Sequence, residues 1–111
     1  MARNRSLDMG ELTDTLYYIL LSLVAPRHGY LIMKNIETIT DGEFEIGPAS
    51  LYSSIQKLES AGLIERVDID DQKRKTYQAT DKGIQLLKMD VQRRRVMVRH
   101  AEEILKLEGY Y

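Results

Sequence analysis

The sequence predicts a mainly α-helical fold with a small β-hairpin and a long C-terminal helix. Three observations predict it. Apolar residues recur at helical spacing in four segments, a strand-turn-strand pattern lies between the third and fourth, and the last segment keeps apolar residues in step at intervals of seven. With 111 residues, 43% apolar and 30% charged, the chain suits one soluble compact domain with an appended element.

The first helix is expected over Leu12 to Val24. Leu12, Leu16, Ile19, Leu20 and Leu23 make one apolar stripe; Tyr17, Leu21 and Val24 make a second. A helix apolar on two faces must be covered on two faces. A surface beyond the domain's own core is therefore expected against Tyr17 and Leu21. Pro26 and Gly29 bracket a turn. A second helix follows from Tyr30 to Ile39, its core face marked by Ile32, Ile36 and Ile39, with Met33 beside them. Asp41-Gly42 stops it, because glycine tolerates the left-handed conformation. Glu43 to Ile46 alternates, which predicts a short strand with Phe44 and Ile46 inward.

The third helix opens at Gly47-Pro48, since proline loses nothing in a first turn whose N–H groups are unpaired anyway. Leu51, Ile55 and Leu58 form its core face, and Ala61-Gly62 ends it. The opposite face carries Ala49, Ser53, Gln56, Lys57 and Ser60, flanked by Ser50 and Tyr52. A hairpin comes next: Val67 and Ile69 alternate with charged residues, the tip is Asp71-Gln72-Lys73, and Arg74 to Ala79 return with Tyr77 and Ala79 on one face. The last helix spans Thr80 to Leu107, with Thr80 or Asp81 as N-cap. Ile84, Val91, Val98 and Leu105 are seven apart; Leu87 and Ala101 occupy the matching d positions, and Arg94 breaks that series. A helix of this length reaches about 40 Å, more than three short helices can cover, so a second copy is the expected partner.

Composition excludes several functions. No cysteine is present, so disulfides, thiolate zinc and a cysteine nucleophile are out. His28 and His100 stand in no ligand spacing. His100-Ala101-Glu102 matches a fragment of a zinc-deaminase pattern without its cysteines. Asp68-Ile69-Asp70-Asp71 is too short for a calcium loop, and Asn4-Arg5-Ser6 is a glycosylation sequon without secretory context. No phosphate-cradling glycine loop and no nucleophile-base pair occurs. Neither an enzyme nor a cofactor nor a metal is expected. No apolar run is long enough to cross a bilayer, and the basic start Arg3-Asn4-Arg5 lacks a following export-signal core, so a cytoplasmic protein without membrane attachment is expected.

The formal net charge of −1 argues mildly against a polyanion partner. Local potential matters more than the sum, and Lys73-Arg74-Lys75 cluster at the hairpin. Arg93-Arg94-Arg95, with Arg99, reads as a solvated face, with Arg94 at the seam pairing with an acid of a partner.

The order helix, helix, short strand, helix, hairpin, helix is that of a winged helix-turn-helix. Residues 1–79 form the winged domain and 80–111 the dimerisation helix. The apolar stripe of the third helix seats it on the first two, and its small polar face fits a major groove. Ala49, Ser50, Tyr52, Ser53, Gln56 and Lys57 are the candidate base and phosphate contacts. Lys73, Arg74 and Lys75 on the wing reach the neighbouring backbone. Candidate interface residues are Tyr17, Leu21, Ile84, Leu87, Val91, Val98, Ala101 and Leu105. Two-fold symmetry then implies a pseudo-palindromic site on double-stranded DNA.

The string from Gly47 through Pro48, Leu51-Tyr52, Ile55, Leu58-Glu59 to Gly62-Leu63-Ile64 resembles the recognition-helix signature of the PadR family of transcriptional regulators. His28-Gly29-Tyr30, Arg74-Lys75-Thr76-Tyr77 and Ala79-Thr80-Asp81-Lys82-Gly83 match as well, so the resemblance covers about Leu12 to Leu87. It implies a DNA-binding homodimer, usually a repressor, of the compact type with one C-terminal helix. The acidic Asp68 to Asp71 stretch of the wing, Ser53 where many relatives carry proline, and the lack of tryptophan depart from the family pattern. A small hydrophobic effector between the subunits is a further expectation, with Tyr17, Tyr18, Met89 and Met97 as its lining. The competing reading is a winged-helix protein-interaction module that does not touch DNA, because fold does not fix function.

Overall fold

A computed structural model describes residues 11–67 and 74–111. Among the described residues, four helices and three short strands follow in the order α1 (Asp14–Ser22), β1 (Arg27–His28), α2 (Gly29–Ile39), α3 (Pro48–Ser60), β2 (Ile64–Arg66), β3 (Thr76–Ala79) and α4 (Asp81–Leu107). The sheet is antiparallel in the order β1-β3-β2, with Arg27 opposite Tyr77 and Ile64 opposite Ala79.

α1 and α4 begin where a threonine side chain replaces a missing backbone partner. The Thr13 hydroxyl accepts from the Leu16 N–H at 3.2 Å, and the Thr80 hydroxyl accepts from the Gly83 N–H at 3.1 Å. α1 is shorter than its apolar pattern, because Leu12 lies ahead of the cap and Leu23 is the C-cap, yet both remain buried. Burial follows the apolar residue rather than the helix bounds. The core joins Leu16, Ile19 and Leu20 of α1, Ile32 and Ile36 of α2, and Leu51, Ile55 and Leu58 of α3. Tyr77 of β3 and Leu86 and Leu87 of α4 close it. Each such aliphatic side chain stabilises the fold by about 1.5–3 kcal/mol relative to exposure.

Two local expectations are corrected. Glu43 to Ile46 is not a strand. The Thr40 hydroxyl donates to the Ile36 carbonyl at 2.9 Å and accepts from the Phe44 N–H at 3.1 Å, which ties the segment to the end of α2. Asp41 and Gly42, at φ 52° and 78°, turn the chain there. Phe44 and Ile46 are half-buried, with Phe44 against the Tyr18 ring at 4.8 Å between centroids. The strand beside the hairpin is instead Arg27–His28, inside the expected turn. Ile39, placed on the core face by its spacing, is 44% exposed because α2 ends there, beyond the packed helix crossing.

α4 changes character along its length. Gly83, Leu86, Leu87 and Asp90 are buried, whereas Met97, Val98 and Ile104 are more than half exposed. Its first turns belong to the core and the remainder projects, giving the chain extents of 58 × 34 × 23 Å. Among the described residues no helix is long and apolar enough to cross a membrane.

Candidate nucleic-acid interface

α3 presents the polar face its sequence implies. Leu51, Ile55 and Leu58 are 0–3% exposed, and Ala49, Ser50, Tyr52, Ser53, Gln56 and Lys57 all lie on the exposed side. Gly47 is the N-cap and carries no capping side chain, so the first N–H groups of the helix are open to an acceptor. The Ser53 hydroxyl donates to the Ser50 carbonyl at 3.2 Å, a weak local bond that a base or phosphate can replace.

The far end of α3 is anchored by the residues that start α4. The Thr80 hydroxyl donates to the Gly62 carbonyl at 2.7 Å while it caps α4. The Lys82 ammonium donates to the Ala61 carbonyl at 2.9 Å. The segment after α3 turns at Gly62, φ 76°. Gly83 then packs so closely on the segment that a Cβ there would overlap the Leu63 carbonyl oxygen. These contacts give Thr80-Asp81-Lys82-Gly83 a physical role: they fix the α3 terminus against α4, and with it the direction of the exposed face.

The wing comes to α3 through the start of α2. The Arg74 guanidinium lies 3.1 Å from Nε2 of His28. The next residue, Gly29, is buried under Tyr52, where a Cβ would stand 2.7 Å from the Tyr52 hydroxyl. So the structure brings Tyr52, His28 and Arg74 together, a link spacing alone does not reveal. Arg74 and Lys75 are exposed, and Lys73, with Asp68 to Gln72, lies outside the described residues. Beneath them burial pushes the Tyr77 phenol above its usual range, and the charge of Glu59 adds to this.

A second cluster, not anticipated from the sequence, joins α1 to α4. Asp90 is fully buried and accepts from the Leu12 N–H at 3.2 Å, Arg93 Nε at 2.9 Å and Arg94 Nε at 2.6 Å. The same Arg94 guanidinium donates to Asp14 at 3.0 Å and to the Leu12 carbonyl at 2.9 Å, and lies 4.4 Å from the centre of the Tyr17 ring. Burial works against the Asp90 charge, but the bonds from Arg94, Arg93 and Leu12 outweigh it and hold the carboxyl below the usual carboxylate range. Arg93 and Arg94 therefore do not form a simple solvated face, and the acids paired with Arg94 are its own chain's.

Of the expected interface residues, Tyr17, Leu21, Ile84, Val91 and Leu105 are half-buried and Val98 and Ala101 exposed. Leu87 differs: at 6% exposure it is enclosed by its own domain, because α4 still runs across the core there. Tyr17, Val91, Arg94, Arg95 and Val98 line an open groove of about 320 Å³. Within the protomer Tyr18 faces a separate groove, with Asp14, Ile39 and Phe44.

The arrangement has known relatives. The family model described as transcriptional regulator PadR-like matches residues 15–89. A transcriptional regulator from Clostridium thermocellum is similar at TM-score 0.68 and 27% identity, over 81% of this chain and 90% of that one. A PadR family transcriptional regulator from Eggerthella lenta follows at 0.66 and 27%, over 82% and 77%. A PadR-like transcription factor from Bacteroides fragilis, at 0.68 and 18% identity over 90% and 93%, shares the fold. No curated protein matches the sequence. The match covers α1 to the first turns of α4, with the exposed third helix and the wing inside it, and the chain belongs to the PadR-like family of transcriptional regulators.

Proposed function

We propose that this regulator is a homodimeric repressor that reads a pseudo-palindromic operator with α3. One observation carries the reading. The outward face of α3 consists of small and hydrogen-bonding side chains, over a core face that is fully enclosed. Such a face enters a major groove without steric conflict, and Ser53 and Gln56 match base edges in donors and acceptors. Ala49 and Ser50 stand at the open helix start, where a phosphate fits. Tyr52 suits a thymine methyl or a phosphate, and Lys57 a base or a phosphate. Lys73, Arg74 and Lys75 contact the backbone beside the groove and set position rather than sequence. Residues 1–79 form the reading domain and residues 80–111 supply the dimerisation helix. Tyr17, Leu21, Ile84, Val91, Val98, Ala101 and Leu105 meet the partner subunit. Repression follows from such a dimer occluding a promoter.

The test is retention of fragments of the source genome by the purified protein, followed by titration of a retained duplex against salt. Selective retention with a steep fall of log K with log salt is expected. Indifference to duplex DNA at low salt would overturn the reading in favour of a protein-interaction module.

A further inference from the structure

We propose that His28 is a DNA-phosphate contact that takes up a proton as the duplex docks: a phosphate displaces the bond between His28 and Arg74 and draws on both side chains. The contact presupposes the DNA-binding reading of α3 and the wing, and adds a further residue and a pH dependence to it.

The state of the ring follows from its partner. The Arg74 guanidinium lies 3.1 Å from Nε2 of His28. A guanidinium carries donors only and keeps its charge. Nε2 is therefore the acceptor, and the proton of the neutral ring lies on Nδ1. A proton on Nε2 removes the acceptor and breaks the bond, so the contact with Arg74 belongs to the neutral ring alone.

The ring stands where the two DNA-contacting elements meet. His28 is the N-cap of α2, but its side chain makes no capping bond. It is half-buried, and Arg74 and Lys75 beside it are exposed. Gly29, next in the chain, is buried under Tyr52 of α3, and Thr76 of β3 stands opposite His28 in the sheet. A duplex that seats α3 in a groove and lays its backbone along the wing carries a phosphate past this corner. Phosphate oxygens are acceptors only. They suit a guanidinium and an imidazolium together, whereas a neutral Nε2 would oppose lone pair to lone pair. The balance is simple. Each protomer takes one proton from solvent onto Nε2, the Arg74 N–H exchanges Nε2 for a phosphate oxygen, and the new Nε2–H donates to the same phosphate.

The neighbours leave the ring as the titrating member. On β1, Arg27 is turned to the Ser22 carbonyl, to which its Nε donates at 2.8 Å. On β3 stand Arg74 and Lys75, and on α2 the exposed Tyr30. On α3, Tyr52 lies over Gly29. Glu59 acts with Arg66 of β2 on the buried Tyr77, which is opposite Arg27 in the sheet. Among the described residues no carboxylate forms an ion pair with His28. Of these side-chain types only the imidazole changes charge between about pH 6 and 8.

The test is titration of a duplex retained from the source genome, at fixed salt and across pH. Parent affinity should rise about tenfold or more from about pH 8 to about pH 6, because the complex holds protons that the free protein does not. H28Q keeps an acceptor for Arg74 and cannot charge, so its affinity should stay flat over that range. H28R carries the charge at every pH and should bind more tightly than H28Q, again without a pH dependence. H100Q, changed at an exposed site on α4, should keep the parent's pH dependence. Calorimetry of the parent in two buffers of different ionisation enthalpy reads the proton uptake without any variant. A parent that retains no duplex overturns the DNA-binding reading. A parent that binds without taking up a proton, or an H28Q variant whose affinity rises in acid as the parent's does, overturns the role of His28 alone.

Discussion

Arg94 holds Asp90 at 2.6 Å within α4, and the pair grips the start of α1: Asp90 accepts from the Leu12 N–H, and Arg94 donates to the Leu12 carbonyl and to Asp14. The carboxylate is fully enclosed while the guanidinium is about a third exposed, so charge enters the interior on one side only. Two arginines and a backbone N–H complete its coordination. Leu12, ahead of α1, is thus held by the ion pair as well as by its burial in the core.

Asp90→Ala should destabilise the fold by about 3 kcal/mol at neutral pH, the low end for a broken buried pair because both arginines reach solvent. The Asp90 carboxyl is depressed in the folded state. Its contribution is therefore present above the unfolded carboxylate value of about 3.9 and is lost as pH falls through the folded value. Urea midpoints of parent and variant, measured from neutral pH downward, should converge in acid. A gap that stays constant to the lowest pH would contradict the assignment.

Gly83→Ala should cost about 1–3 kcal/mol, although alanine favours helix, because the added methyl meets the Leu63 carbonyl rather than a movable side chain. Since Gly83 sits where α3 is anchored, DNA affinity should fall together with the unfolding midpoint. A variant that melts with the parent would show that the close approach relaxes without loss.

Much of this was legible in the sequence. α3 and α4 announce themselves by long regular apolar spacing, and their ends by Pro48, Gly62 and Thr80. β1 did not, because two residues have no period and Arg27–His28 is a strand only by pairing with β3. Glu43 to Ile46 has the period of a strand but no neighbour to pair with, since Thr40 takes its backbone. The Asp90 cluster was masked by the run of arginines beside it. A signal existed: Asp90 lies three and four residues beyond Leu87 and Leu86, on the buried face, and three and four before Arg93 and Arg94. The proximity of Tyr52, His28 and Arg74 had no signal, because it depends on how β3 lies beside β1.

Replacing Arg74 and Lys75 by alanine should weaken binding about equally for all DNA sequences. The slope of log K against log salt should flatten by about 0.9 for each phosphate no longer neutralised. Both side chains are exposed, so the unfolding midpoint should hardly move. An unchanged slope would show that the wing does not reach the backbone.

Val98→Asp should abolish the dimer and, with it, operator binding, while the protomer stays folded because Val98 is 56% exposed within it. Sedimentation at micromolar concentration with a far-ultraviolet spectrum checks both halves. A dimer of unchanged mass would place the interface elsewhere.

Sequence reading by α3 is the centre of the proposed mechanism. Ser53→Ala with Gln56→Ala removes the two most capable hydrogen-bonding side chains from its exposed face and leaves Leu51, Ile55 and Leu58 in place. Each base pair that these side chains bond should lose about 1–3 kcal/mol of discrimination, with little change in non-specific affinity. Leu51→Ala is the contrasting control, expected to lower folding stability by about 2–5 kcal/mol by opening a cavity. The direct measurement is selection from randomised duplexes by parent and double variant. The parent should recover a two-fold-symmetric motif, and the variant should recover less information at a few positions of each half-site. The same motif with the same information at every position would contradict a reading role for α3.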